Sequence, residues 1–315
     1  MPDGSVALRL PAASTPYSAA PALPDPRAVL ELLKPITWFA PMWAFGCGVV
    51  SVGGPDWSQL PWVVLGVILT GPLVCAMSQA VNDWFDRHVD AINEPHRPIP
   101  SGRLPGLWGL WVAIGWTVLS FAAAALIGGF VFWAALAAIL AAWAYSAPPV
   151  RLKREGWVAA AVCAFSYEGL PWVTGAALVG GGVPEARIFA VAALYSAGAI
   201  GIMILNDFKS VEGDRASGLA SVPAVLGIDN AANVACVLMA APQVAVLALL
   251  AAWGRPVHAA IVASLLAAQI VLMLRLLGDP RERTPWYNAT GTSLYVLGML
   301  ASAFAFAPLA QGTMP

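Results

Sequence analysis

Three carboxylates, Asp83, Asp86 and Asp90, stand at spacing i, i+3 and i+7, and Asp207 and Asp214 repeat the outer spacing 124 positions later. The flanking residues repeat as well: Asn82-Asp83-Trp84 answers Asn206-Asp207-Phe208. On a continuing helix, positions i, i+3 and i+7 share one face. Like charges stacked in that way repel, by roughly 0.2–0.5 kcal/mol per exposed pair and more beside a low-dielectric region. A cation must neutralise them. The set contains no His or Cys, and donors that are all oxygen suit a hard ion. Mg2+ commonly binds through one or two carboxylates plus substrate phosphates.

The elements that must position these acids are membrane helices. The chain is 59% hydrophobic and 10% charged, with a mean hydropathy of +0.74, whereas a soluble domain carries about 25% charge. Seven of its 17 acids nevertheless lie in 83–94 and 207–214, and acids kept beside a hydrocarbon layer point to function. Windows long enough to span fall at about 35–54, 62–81, 107–127, 129–147, 157–180, 187–205, 231–253, 257–277 and 291–309. The expected fold is therefore all-α and integral to the membrane, with nine transmembrane helices around a central cavity. Nine spans put 14 of the 16 Lys and Arg on one side, leaving Arg187 and Arg255 on the other. By the positive-inside rule, the N-terminus and both acidic segments are cytoplasmic. Four spans separate the two segments, so both end on the same face as a parallel internal repeat. Basic residues on that face, Arg97, Arg151, Lys153, Lys209 and Arg215, are candidates to contact diphosphate oxygens.

Residues 1–34, rich in Pro and Ala, read as a mostly disordered cytoplasmic tail with a short amphipathic helix around Arg27 to Leu33; residues 35–310 read as one nine-helix domain. Cys47, Cys75, Cys163 and Cys236 lie far apart in apolar stretches and read as small buried residues. His88 reads as a solvent residue and His258 as an interfacial one. No nucleic-acid partner is expected; the lipid bilayer is.

The Asn-Asp-x-x-Asp-x-x-x-Asp run at 82–90 and its partner at 206–214 closely resemble the signature of the UbiA-type intramembrane prenyltransferases, over about residues 30–310. In that family the acids bind Mg2+ and an isoprenyl diphosphate. The resemblance implies a first site of Asn82, Asp83, Asp86 and Asp90 and a second of Asn206, Asp207 and Asp214. The stretch from Tyr145 through Arg151 to Lys153 resembles the family's diphosphate-binding loop. Many members carry Asp where this chain has Ser210, and Glu212 is the residue placed to compensate as a metal ligand. The runs Asp90–Gly102 and Ser166–Trp172 resemble the chlorophyll and bacteriochlorophyll synthase branch, the latter run its bacterial members.

The implied reaction is Mg2+-dependent esterification of the propionate of bacteriochlorophyllide with a geranylgeranyl or phytyl group, in a bacterial cytoplasmic or photosynthetic membrane. Its acceptor is already a carboxylate at neutral pH, so no strong base is needed. Trp84, Phe85, Tyr145, Tyr167 and Trp172 are candidates to steady an allylic cation, each against a plain packing role. Glu168, the acid deepest inside an expected span, is a candidate for the tetrapyrrole pocket, against a structural hydrogen bond. One rival keeps the fold and changes the acceptor to a quinone ring or haem. Another is a secondary transporter, although transporter sites lie near the midplane on broken helices.

Overall fold

The computed structural model describes residues 23–216 and 218–307. It contains no β-strand among those residues, only an isolated bridge between Glu155 and Ala220. Two short elements lead in, α1 (Pro26–Leu33) and α2 (Phe39–Ser51). Helices α3 (Leu60–Ile68) and α4 (Ala76–Asn93) are joined through a π-helical turn, Leu69–Cys75. Then come α5 (Trp108–Ile127), α6 (Gly129–Ser146), α7 (Gly156–Ala164), a second π-helical turn at Phe165–Gly169, and α8 (Leu170–Gly180). The second half holds α9 (Ala186–Asn206), the short α10 (Val211–Ala216) and α11 (Val222–Leu226), and the long α12 (Ile228–Ala252), α13 (Pro256–Leu277) and α14 (Pro280–Phe304).

All nine expected windows are largely helical, but among the described residues six helices are long and apolar enough to cross a membrane: Leu60–Asn93, Trp108–Ile127, Gly129–Ser146, Ala186–Lys209, Ile228–Ala252 and Pro256–Leu277. The count of nine is not reached on length and composition, and each shortfall has a local cause. Helix α2 has 13 residues. The π turn divides Gly156–Gly180 into pieces of 9 and 11 residues. Helix α14 has 25 residues, but its first half carries Arg281, Glu282 and Arg283 and then the polar Asn288, Thr290, Thr292 and Ser293. Large apolar side chains such as Trp111, Val118, Leu126, Trp133 and Leu274 face outward, as hydrocarbon around a multi-pass protein requires.

Proline and glycine shape the parts that matter for the site. Pro72 lies inside the first π turn, where Trp116 Nε1 of α5 donates to its carbonyl at 3.0 Å and ties that turn to α5. Helix α1 starts where Asp25 accepts from the Arg27 amide and Pro26 takes the first position. It ends at Lys34, whose φ of 47° is left-handed, with Pro35 next. Its buried Ala28, Leu32 and Leu33 pack with Met77, Ala80 and Val81 of α4, so 26–34 is fastened to the bundle. The remainder of the expected tail, residues 1–22, lies outside the described residues.

Helices α2 and α8 cross at backbone contact. A Cβ on Gly48 would lie 1.9 Å from the Trp172 carbonyl oxygen, and one on Gly175 would lie 2.1 Å from that of Phe45. Small residues at such crossings let membrane helices approach. Gly175→Ala is therefore expected to cost about 1–3 kcal/mol or more by overpacking, read as a lower Tm in detergent. Gly46→Ala, with nothing within 4 Å, is expected to leave Tm unchanged or slightly raised.

Candidate active site

Helix α4 carries the first three acids, and each one meets cations that other segments supply. Asp83 is 3% exposed; Lys34 Nζ donates to its Oδ1 at 2.7 Å, with Arg97 Nη1 at 3.3 Å. Asp86 pairs with Lys153 and lies 3.3 Å from Arg151 Nη2. Asp90 accepts from Arg97 Nη1 at 2.9 Å, and Arg97 also pairs with Glu94. The loop after α6 brings in the Asp86 partners: Arg151 turns the chain with a left-handed φ of 42° and Lys153 follows in a 3-10 turn. Burial pulls the Lys153 ammonium below the ordinary lysine value, and Asp86 restores part of that fall.

The second segment departs from the expected continuous helix. Helix α9 ends at Asn206, Asp207–Lys209 form a 3-10 turn, and Asp214 lies on the separate α10. Ser210 occupies the break. Its hydroxyl is 3.1 Å from both the Asp207 carbonyl and Asp214 Oδ2, an interaction that an aspartate at 210 would replace with repulsion. The two segments nevertheless meet at one end of the bundle, where a Cβ on Gly213 would lie 3.3 Å from Asn93 Nδ2 at the end of α4.

Beneath that end lies a cavity of about 360 Å³. Asn82, Asn206, Asp207 and Lys209 line it from the motif side, and Asp207 is its one carboxylate among the described residues. The interior is formed by Leu69, Val74 and an alanine face of α6, with Tyr145, Tyr167, Gln79, Cys75 and Cys163 between. Cys47, Cys75 and Cys236 are buried as expected, and Cys163 is half-buried; Cys75 and Cys163 also border the cavity.

Six of the expected site residues therefore line one space: Asn82, Tyr145, Tyr167, Asn206, Asp207 and Lys209. Asp83, Asp86, Asp90, Arg97, Arg151 and Lys153 form the ion-paired group beside it. Others are placed elsewhere. Arg215 Nε donates to the Ala224 carbonyl at 3.2 Å, and exposed Glu212 pairs with Arg281 from α14. Glu168 is buried in the second π turn with Oε2 unpartnered, and it does not line the cavity. Trp84 stacks under Arg87, Phe85 packs on Trp143, and Trp172 donates to Ser51; the helix rotation points all three away. His88 is exposed.

Among the described residues no three His, Cys, Asp or Glu side chains are gathered closely enough to hold a metal as they stand. The donor chemistry still fits a hard cation. The acids supply only oxygen, Asp83 Oδ2 is buried with no partner, and the charges now paired with the acids are lysine and arginine side chains. Lys34 was missed because its sequence signal, one Lys before a Pro, says only that a helix ends. Its removal has a readable consequence. Lys34→Met is expected to lower Tm in chelator by the equivalent of roughly 1–3 kcal/mol, since it strips one partner from a buried carboxylate. Added Mg2+ is expected to restore more of that loss than it adds to the unaltered protein.

Asn288 was also missed; its Nδ2 donates to Asn206 Oδ1 at 2.9 Å and ties α14 to the second segment. No local pattern links positions 82 residues apart.

Sequence and fold comparisons converge on one family. Residues 38–296 match the UbiA prenyltransferase family. The bacteriochlorophyll synthase 33 kDa chain of Cereibacter sphaeroides is 56% identical over 283 residues, covering 90% of this chain and 94% of that one. The chain of the same name from Rhodobacter capsulatus is 52% identical over 90% and 94%. A UbiA homolog from Archaeoglobus fulgidus, solved bound to DMAPP and Mg2+, superposes with a TM-score of 0.68 at 22% identity, over 90% of this chain and 99% of that one. With its motif-lined cavity inside a multi-pass helical bundle, the chain belongs to the UbiA prenyltransferase family.

Proposed function

We propose that this protein transfers a geranylgeranyl or phytyl group from its diphosphate to the propionate carboxylate of bacteriochlorophyllide, the closing esterification of bacteriochlorophyll synthesis. The observation that carries this reading is the polarity of the cavity. Asn82, Asn206, Asp207 and Lys209 ring one end, and the space behind them is mainly apolar, walled by Leu69, Val74 and the α6 alanines with uncharged polar groups such as Gln79 and Tyr167 between. An isoprenyl diphosphate has the same division, a charged head on an apolar chain. Identity of 56% along nearly the whole length to a bacteriochlorophyll synthase chain supports the tetrapyrrole acceptor.

The residues divide the work. Lys209 at the cavity, with Arg97, Arg151 and Lys153 beside it, neutralises the diphosphate head, the arginines in bidentate fashion. Mg2+ held by Asp83, Asp86, Asp90, Asp207 and Asp214 would offset the charge that gathers on the departing diphosphate. Asn82 and Asn206 orient phosphate oxygens. The bond from allylic C1 to the diphosphate oxygen breaks with its electron pair leaving on oxygen, and a propionate oxygen supplies the pair for the new C–O bond. Tyr145 and Tyr167, on the cavity wall, are the rings available to steady a carbon gaining positive charge. The apolar walls exclude water that would capture it. The basic bias among the loops supports an orientation with the motif end of the bundle on the cytoplasmic side of a bacterial membrane.

The test is a product assay on detergent-purified protein with bacteriochlorophyllide a and geranylgeranyl diphosphate, read by chromatography and mass. An esterified pigment that needs Mg2+ and is lost with chelator is the expected result. No ester, but diphosphate release with a quinone precursor, would move the acceptor assignment.

A further inference from the structure

Among the described residues, the Tyr167 phenol has a proton for which no protein oxygen stands in hydrogen-bonding geometry within 3.5 Å. Its phenol sits on the π-helical turn Phe165–Gly169, and the extra residue in that turn brings the ring to the cavity wall. Gln79 Nε2, on the motif helix α4, donates to the phenol oxygen at 2.7 Å. A phenol oxygen carries one proton and two acceptor sites, and an amide nitrogen can only donate. The bond from Gln79 therefore occupies an acceptor site and leaves the phenol proton unassigned. The other neighbours are Cys75 Sγ, which donates weakly to the same oxygen at 3.5 Å and also lies 3.4 Å from Thr37 Oγ1 and 3.6 Å from the Thr37 carbonyl, and the Ser78 hydroxyl, which gives its own proton to the Cys75 carbonyl at 2.7 Å. Tyr167 and Gln79 both line the cavity, so the space beside them is where the proton can be delivered.

The depth of this pair says what it would meet. Gln79 lies three residues before Asn82 on α4, about 4.5 Å further in at the usual helical rise. Asn82, Asn206, Asp207 and Lys209 take the charged head at the rim, so a donor one turn deeper lies level with the bond being exchanged. A group that holds an ionised oxygen acceptor there, without having to remove a proton from it, is an oriented neutral donor.

On the esterification reading above, we propose that Gln79 is a positioning residue: it fixes the Tyr167 phenol as a hydrogen-bond donor to the acceptor's carboxylate, on the oxygen that does not attack. Tyr167 then orients an acceptor that carries an oxygen beside its attacking atom, and Gln79 acts only through it.

Steady-state kinetics on Tyr167→Phe, Gln79→Met, Gln79→Glu and the Tyr167→Phe/Gln79→Met double variant test this, with Tm measured for each. Tyr167→Phe is expected to raise KM for bacteriochlorophyllide about 10- to 100-fold, the weight of a hydrogen bond to a charged group. KM for geranylgeranyl diphosphate should stay within about twofold. Gln79→Met should raise the acceptor KM about threefold or more and add nothing in the Tyr167→Phe background, because the two act as one unit. Gln79→Glu keeps the shape but turns the donor into a carboxylate that takes the phenol proton, and should match Tyr167→Phe. Additive effects of the two single changes, an equal rise in KM for the diphosphate, or an unmoved acceptor KM would each overturn the assignment. Failure of the unaltered protein to make the ester would instead overturn the reading on which it rests.

Discussion

Asp83→Asn is expected to cut turnover by about 10²–10³ or more, the range for removing a single group that stabilises developing charge, while the protein remains folded. The reasoning starts from burial. Asp83 is 3% exposed, its Oδ1 is met by Lys34 and Arg97, and its Oδ2 has no partner. Asparagine has the same shape and keeps an acceptor for Lys34, so packing against α1 survives. The two cations are each about a quarter exposed, and Arg97 retains Asp90 and Glu94. Neither is stranded by the change, and Tm should move little. What is lost is the anion that a divalent cation needs. Ester formation and thermal unfolding on the same preparation check this. Unaltered turnover by folded Asp83→Asn protein would remove Asp83 from the metal site. Glu212→Gln is the matched comparison. Glu212 is exposed and paired with Arg281, away from the cavity, so its loss is expected to change turnover less than about twofold.

That contrast marks where sequence is informative about this site. Spacing alone places Asp83, Asp86 and Asp90 on one helix, because a 3.6-residue repeat inside an uninterrupted α4 obeys simple geometry. The same spacing misleads at 207–214. The Ser210 turn breaks the helix, and a repeat in sequence carries no record of a break in the chain's path. Hydropathy locates nine helical windows, yet it does not register the π turns that divide two of them. Those turns matter, since one of them presents Tyr167 to the cavity. Partners distant in the chain were the least legible. Lys34 reaches Asp83 across 49 positions and Arg281 reaches Glu212 across 69. Such pairs depend on the rotation and tilt of separate helices, and composition says nothing about either. The basic residues near the motifs divided in the same way. Arg97, Arg151 and Lys153 pair with the acids, whereas Arg215 is spent on a carbonyl at Ala224.

Asp207→Asn is expected to separate chemistry from binding. Asp207 lines the cavity, is its one carboxylate, and makes no hydrogen bond to another side chain among the described residues. It stands two residues from Lys209, the one cation lining the cavity among the described residues. In the absence of metal its charge opposes an entering diphosphate, while Lys209 attracts it. Asparagine removes the opposing charge and keeps the shape. In chelator, then, geranylgeranyl diphosphate should bind Asp207→Asn protein as tightly as the unaltered protein or more tightly, read as the rise in Tm that the ligand produces. With Mg2+ present the order should reverse. The variant lacks an anchor for the cation that bridges to the diphosphate, and turnover should fall about 10²–10³-fold, as for other groups that act on developing charge. Asp83→Asn should not show the first effect, because Lys34 and Arg97 already screen that charge and it does not line the cavity. Loss of metal-free diphosphate binding in Asp207→Asn would mean that this residue supports the cavity and does not hold a cation there. Retained binding with lost turnover would place the second carboxylate at the departing diphosphate.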